Sequence, residues 1–153
     1  EKLYQSKDFM HIDFKRYIRS LLRHLLSIYR KNEITLDLKI ENIYLNINLA
    51  IPCGLIINEL VSNSLKYAFS DSKKGKILLS FKYNDENKKY QLSISDNGIG
   101  FSKDDIKKNN SLGLTLIESL TDQLHGDLLI DSKKGSNVII TFEKAKLGTY
   151  SEI

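Results

Sequence analysis

Hydrophobic and polar positions change period several times along the chain, and each change marks an element. From Phe14 the apolar residues Phe14, Tyr17, Ile18, Leu21, Leu22 and Leu25 fall at helical spacing, with Lys15, Arg16, Arg19 and Arg23 lying elsewhere. Asp13 is a good N-cap for this helix, and Ile12 and Tyr17 bracket it as a hydrophobic staple. The helix is expected to end near Arg30. Ile34, Leu36, Leu38 and Ile40 then alternate with Thr35, Asp37 and Lys39, the pattern of a half-buried strand. Tyr44–Ile47 is a second, short extended segment. Pro52 suits the first turn of a helix that runs to about Phe69.

Gly75 precedes a strand at Lys76–Tyr83, and a turn at Asn84–Lys89 leads into another at Tyr90–Ser95. Leu114, Ile117, Leu120 and Leu124 predict a third helix over Leu112–Leu124, stopped by Gly126. Leu128–Asp131 and Asn137–Phe142 close the pattern as a hairpin. Helices alternating irregularly with hairpin-linked strands predict an α+β fold: a two-layer α/β sandwich with helices on one face of a mixed, mainly antiparallel sheet. Most strand pairs are too close together for the crossover helices of a parallel, doubly wound sheet.

Composition narrows the function classes. The chain has 153 residues, enough for one domain with a real core, and 41% hydrophobic with 27% charged residues fits neither disorder nor a membrane span. Glu1–Met10 is too polar for a signal peptide. The single cysteine, Cys53, excludes an internal disulfide, and His11, His24 and His125 do not stand at metal-ligand spacing. Cys53 is expected in the core and His24 near the first helix's interface. A net charge of +4 invites nucleic acid, but the 23 cations are scattered among 19 carboxylates, so no nucleic-acid partner is expected.

Three segments carry candidate chemistry. In Asn58–Phe69, at about 100° per residue, Cys53, Ile57, Leu60, Val61, Ser64 and Ala68 gather on one face, and Glu59, Asn63 and Lys66 on the other. A carboxylate, an amide oxygen that can ligate a hard cation and an ammonium for phosphate charge make such a row a candidate magnesium–phosphate edge. An ordinary solvated helix face reads the same way. Ser95-Asp96-Asn97-Gly98-Ile99-Gly100 follows a strand, with Asp96 able to accept from an exocyclic amine and two glycines permitting close backbone approach. Asp-Asn-Gly is also common turn chemistry. Ser111-Leu112-Gly113-Leu114 opens the third helix, whose unpaired N–H groups suit a phosphate or merely accept a serine cap. Between these two segments, Ser102–Asn110 reads as a nucleotide lid or as a simple polar connection.

Taken in order, Asn58–Phe69, Asp96–Gly100 and Ser111–Leu114 resemble the catalytic ATP-binding domain of sensor histidine kinases. Their superfamily includes DNA gyrase B, the heat-shock ATPase chaperones and the mismatch-repair ATPases, and its domain is called the Bergerat fold. The resemblance spans about Phe14 to Phe142 and is nearest to kinases with the less common dimerisation and phosphoacceptor domain. It implies ATP and Mg²⁺ as cofactors, with Asn63 as metal ligand, Glu59 one turn earlier orienting water or metal, Lys66 on phosphate and Tyr67 bordering the nucleotide. Asp96 would bind the adenine amine, and Gly98, Ile99 and Gly100 would shape the pocket floor. Leu112, Gly113 and Leu114 would close over the phosphates, with Ser136 near an adenine-site water.

Three departures from the family pattern stand out. Asn109 and Ser111 replace glycines of the second glycine box, no separate phenylalanine box is evident beyond Phe101, and no phosphoacceptor histidine is present. The resemblance therefore implies residues 1–12 as the end of an upstream dimerisation and phosphoacceptor domain, 13–147 as the catalytic domain and 148–153 as a tail. The partners it implies are that upstream domain and a response regulator, in a cytoplasmic, homodimeric kinase without direct membrane contact. This fragment is not expected to phosphorylate itself. A serine kinase or bare ATPase of the same superfamily, and a degenerate interaction module, are the competing readings.

Overall fold

The computed structural model describes residues 11–29, 33–69, 74–100 and 112–144. The expectations for Glu1–Met10, Arg30, Phe101, Ser102–Asn110, Ser111 and the 148–153 tail lie outside these residues.

Strand β1 (His11–Asp13) leads directly into helix α1 (Phe14–Ile28). Asp13 caps it as expected, its carboxylate accepting from the Arg16 N–H at 3.2 Å. Phe14, Ile18, Leu22 and Leu25 form its buried stripe, while His24 is exposed rather than at an interface. Strand β2 (Glu33–Ile40) and the short β3 (Tyr44–Asn46) follow. β3 stays out of the main sheet and pairs antiparallel with β1, His11 opposite Asn46.

Helix α2 (Ile47–Asn63) begins a full turn before Pro52, because the Asn46 side chain caps it by accepting from the Asn48 N–H at 2.9 Å. Pro52 therefore sits inside the helix. At its end the winding changes: Ser64–Ala68 is a π-helical turn, where a single α-helix to Phe69 was expected. Strands β4 (Lys74–Asn84) and β5 (Lys89–Asp96) form a hairpin. Helix α3 (Leu112–Gln123) and the hairpin β6 (Asp127–Asp131) with β7 (Ser136–Glu143) complete the domain. Gly126 does not itself take the left-handed position after α3. His125 does, at φ 51°, and the Gly126 N–H closes the cap on the Thr121 carbonyl at 3.0 Å.

The five-stranded sheet has the order β2-β4-β5-β7-β6, with β2 parallel to β4 and every other pair antiparallel. The three helices pack on it as the second layer of an α+β sandwich. Strand alternation places Ile77, Leu79 and Phe81 of β4, Tyr90, Leu92 and Ile94 of β5, and Val138, Ile140 and Phe142 of β7 in the core. Phe14, Phe81, Tyr90 and Phe142 form an aromatic cluster, with Phe14–Phe81 centroids 4.5 Å apart and Phe81–Tyr90 5.6 Å apart. Cys53 is fully buried, as expected. At the other end of β5 and β7 the inward rows finish on paired polar residues, Asp96 opposite Ser136. There the core gives way to a site.

Candidate nucleotide site

Asp96 is only 6% exposed, and its carboxylate is the hub of this end of the sheet. One oxygen accepts from the Ser64 hydroxyl at 2.7 Å and the Ser136 hydroxyl at 2.5 Å. The other accepts from the Gly98 N–H at 3.0 Å and the Ser136 N–H at 3.3 Å. Four donors match the roughly four lone-pair sites a carboxylate offers. A buried charge is tolerable here because every lone pair is used.

The loop after Asp96 is pinned on both sides. Asn97 extends the β4–β5 pairing, its side chain accepting from the Lys76 N–H at 2.8 Å and its N–H donating to the Lys76 carbonyl at 3.2 Å. The Ile99 N–H donates to the Ala68 carbonyl of the π turn at 3.1 Å. Gly98 is required by that approach, since a Cβ there would overlap the Ala68 carbonyl oxygen and stand 2.6 Å from its Cβ. Gly100 is left-handed at φ 71°, against the Gly135 carbonyl. Ile99 and Tyr67 remain largely open to solvent.

Glu59 and Asn63 meet as the i, i+4 row predicts, the Asn63 amide N–H donating to Glu59 Oε1 at 3.1 Å. That bond uses the nitrogen end of the amide and leaves the oxygen, the end suited to a hard cation, directed elsewhere. Gly113 lies against this pair: a Cβ on it would overlap Glu59 Oε1 and come within 3.4 Å of Asn63 Nδ2. The start of α3 is thus seated on the end of α2, with Leu114 half-buried one residue on.

Lys66 departs from the expected row. Its ammonium lies 5.4 Å from the centroid of the Tyr29 ring at the end of α1. The cause is the π turn: i to i+5 bonding advances each residue through a smaller angle than α winding, which rotates Lys66 away from the Glu59–Asn63 line. Ser64 is the residue that sequence reasoning missed. It was placed on the apolar face and is indeed buried, but its hydroxyl is spent on Asp96. The available signal was a hydroxyl, next to Asn63, on a face otherwise filled by aliphatic residues.

A groove of about 750 Å³ also runs along the sheet, lined by Lys76, Leu78, Gln91, Ser93, Asn137 and Ile139. These positions alternate with the buried ones, so the groove lies on the helix-free face, behind Asp96 rather than beside Glu59 and Asn63.

Residues 49–146 match the model of the histidine kinase-, DNA gyrase B- and HSP90-like ATPase family. The chain belongs to this ATPase family. Sequence relatives of the ATPase domain are the sensor histidine kinase WalK of Bacillus subtilis, 24% identical over 91% of this chain, and the oxygen sensor histidine kinase NreB of Staphylococcus carnosus, 31% identical over 58%. The alignments take in 26% and 24% of those proteins, so this chain spans about a quarter of their length. Among solved structures, the histidine kinase domain of the blue-light activated kinase EL346 from Erythrobacter litoralis superposes with a TM-score of 0.79 at 21% identity, covering 87% of this chain and 66% of that one. The catalytic domain of histidine kinase ThkA gives 0.71 at 17% identity, covering 88% and 94%. These two likenesses establish the fold of the ATPase domain. Among its described residues no helix is long and apolar enough to cross a membrane.

Proposed function

We propose that this domain is the ATP-binding catalytic domain of a two-component sensor histidine kinase. It presents MgATP for phosphoryl transfer to a histidine on a preceding dimerisation and phosphoacceptor domain, from which a response regulator takes the phosphoryl group. The observation that carries the reading is the buried Asp96 carboxylate, held by Ser64 and Ser136 at the end of an otherwise apolar row. The kinase relatives favour this over a serine kinase or a bare ATPase. We place the domain on the cytoplasmic side, in a homodimeric parent protein.

In this reading Asp96 accepts the adenine amine, and a serine hydroxyl turns its O–H away to free a carboxylate lone pair. A hydroxyl can do so cheaply because it rotates and can accept as well as donate. Asn63 supplies an amide oxygen to Mg²⁺, and Glu59 fixes the amide's orientation through its nitrogen end. Mg²⁺, when bound, neutralises charge on the transferring phosphoryl group. The first turn of α3 holds phosphate oxygens, Leu112, Gly113 and Leu114 cover them, and Tyr67 and Ile99 border the nucleotide, while Lys66, over the Tyr29 ring, is left out of the phosphate contacts expected of it. Neutral imidazole is already a nucleophile, so the domain's task is placement and electrostatic stabilisation.

The test is calorimetric titration with a non-hydrolysable ATP analogue and its GTP counterpart, with and without Mg²⁺. Adenine-selective, Mg²⁺-sensitive binding is expected. Absence of binding, or equal affinity for both nucleotides, overturns the reading. Asn63→Ala should remove the Mg²⁺ dependence while leaving the thermal unfolding transition in place.

A further inference from the structure

The sheet ends in two edges of different character. Among the described residues β2 pairs with β4 alone and β6 with β7 alone. An edge strand offers unpaired N–H and C=O groups to any passing strand, and proteins blunt it by shortness, charge, proline or a bulge. The β6 edge is blunted. It has five residues, and an antiparallel second β6 centred on Leu129 would set Asp127 against Asp131. The β2 edge has eight residues and no proline, and its register with β4 runs without a bulge from Glu33–Lys74 to Ile40–Phe81.

The two faces of β2 describe the strand that would fit beside it. Leu36 and Leu38 lie next to the buried Ile77 and Leu79 on the helix-covered face, yet they and Ile34 stay half-buried. A further strand would cover this apolar row. On the open face stand Glu33, Thr35, Asp37 and Lys39, charges of both signs with an acid at one end and a base at the other. Such a row is complementary to itself run backwards.

We infer that β2 pairs antiparallel with β2 of a second copy of this chain, about a two-fold axis at Leu36. The two five-stranded sheets become one continuous sheet, and the interface closes on itself. Glu33 then faces Lys39 of the second copy, and Thr35 faces Asp37, whose carboxylate can accept from the threonine hydroxyl. On the other face Ile34 meets Leu38, and Leu36 meets its own counterpart.

Other registers fail on charge or length. A slip of one residue sets the apolar row of one copy against the polar row of the other. Centring on Asp37 or Lys39 puts each against itself, and centring on Thr35 puts Glu33 against Asp37. Centring on Leu38 carries Glu33, Ile34 and Thr35 past the end of the other β2. It also sets Lys39 on Asp37, which already holds the Lys76 ammonium at 3.6 Å. The pairing about Leu36 leaves that ion pair in place. It goes beyond the kinase reading and does not depend on it.

Sedimentation equilibrium of the chain without nucleotide tests the pairing. A dimer with a Kd on the order of 0.1 mM is expected for so small an interface. Lys39→Glu and Glu33→Lys, both at exposed positions, each turn the attractive cross-axis pairs into like-charge pairs. Each should weaken the dimer at least about tenfold with the thermal midpoint little changed. The two changes together restore opposite charges and should bring Kd back to within about threefold of the parent. A monomeric parent, single reversals without effect, or a double variant as weak as the singles each overturns the inference. Hydrogen exchange of monomeric Lys39→Glu distinguishes the remaining occupant. The β2 amides that point away from β4 should exchange freely, and their continued protection would place another segment of the same chain on this edge, which also overturns it.

Discussion

Replacing Asp96 with asparagine separates what the carboxylate does for the fold from what it does for the nucleotide. In Asp96→Asn the amide oxygen can keep the Gly98 and Ser136 N–H donors, now at 3.0 and 3.3 Å from Oδ1. The amide N–H₂ then faces two hydroxyls, Ser64 at 2.7 Å and Ser136 at 2.5 Å, and each can rotate to accept instead of donate. All four contacts survive, so the variant should lose at most about 1–2 kcal/mol, through weakened charge assistance alone. Asp96→Ala keeps none of them. It strands two buried hydroxyls and two N–H groups, at about 1–3 kcal/mol for each one that finds no water. Urea unfolding should therefore rank the chain as parent, Asp96→Asn, then Asp96→Ala, with the larger gap at the last step. Binding runs differently. An adenine amine would meet an amide nitrogen or a neutral oxygen in place of a carboxylate, a loss of about 1.5–3 kcal/mol, or roughly 10- to 150-fold in Kd. Calorimetry with the ATP analogue measures it. Parent-like affinity in Asp96→Asn removes the residue from adenine recognition, and a stability as low as that of Asp96→Ala refutes the rotating hydroxyls.

Gly98→Ala puts a methyl group onto the Ala68 backbone carbonyl, which has no flexible end to retreat. The loop must lift from the π turn, and a loss of about 2 kcal/mol is expected from overpacking and the strained Ile99–Ala68 bond, read as a lowered thermal midpoint. Gly113→Ala meets the flexible ends of the Glu59 and Asn63 side chains, so stability should hold while Mg²⁺-dependent nucleotide affinity falls roughly five- to tenfold as the Glu59–Asn63 bond is broken. Phe81→Ala, at the centre of the aromatic cluster, should cost about 3–5 kcal/mol in denaturant unfolding. Burial pushes the Cys53 thiol well above its ordinary 9.0, so the folded chain keeps it protonated and unreactive. Only the unfolded chain can ionise it, so stability should be full below that value and decline as the pH rises past it, with maleimide labelling tracking unfolding.

Elements whose signals were local were readable in the sequence. Asp13 and the Phe14–Leu25 stripe located α1, and alternation located β4, β5 and β7 to within two residues at each end. Asp96 and Gly98 were legible because a strand end, an acid and a glycine coincide. What escaped was set by non-local partners. The start of α2 was misplaced because Pro52 is a louder signal than the Asn46 cap, and β1 was invisible because its pairing with β3 bridges a helix and a strand. The π turn has no sequence period of its own. It is held from outside, by Ser64 on Asp96, by Ile99 on the Ala68 carbonyl, and by Phe69 packed against Gly75. That single change of winding took Lys66 off the expected row, while Ser64, at its start, kept the buried face that α spacing assigns it.

The parallel pairing of β2 with β4 has a consequence for affinity. Parallel neighbours require a crossover, and here the crossover contains α2 and the π turn, with Glu59, Asn63 and Ser64. Both ends of this span are tethered by closure of the sheet. Immobilising a residue's backbone costs about 1–2 kcal/mol, and for these residues that cost falls on folding rather than on capture of the nucleotide. The converse also holds: β2 is an edge strand, and fraying it would slacken the tether. Affinity for the ligand is thereby coupled to the integrity of a strand at the margin of the sheet, and substitutions there can weaken binding without altering any group that touches the nucleotide.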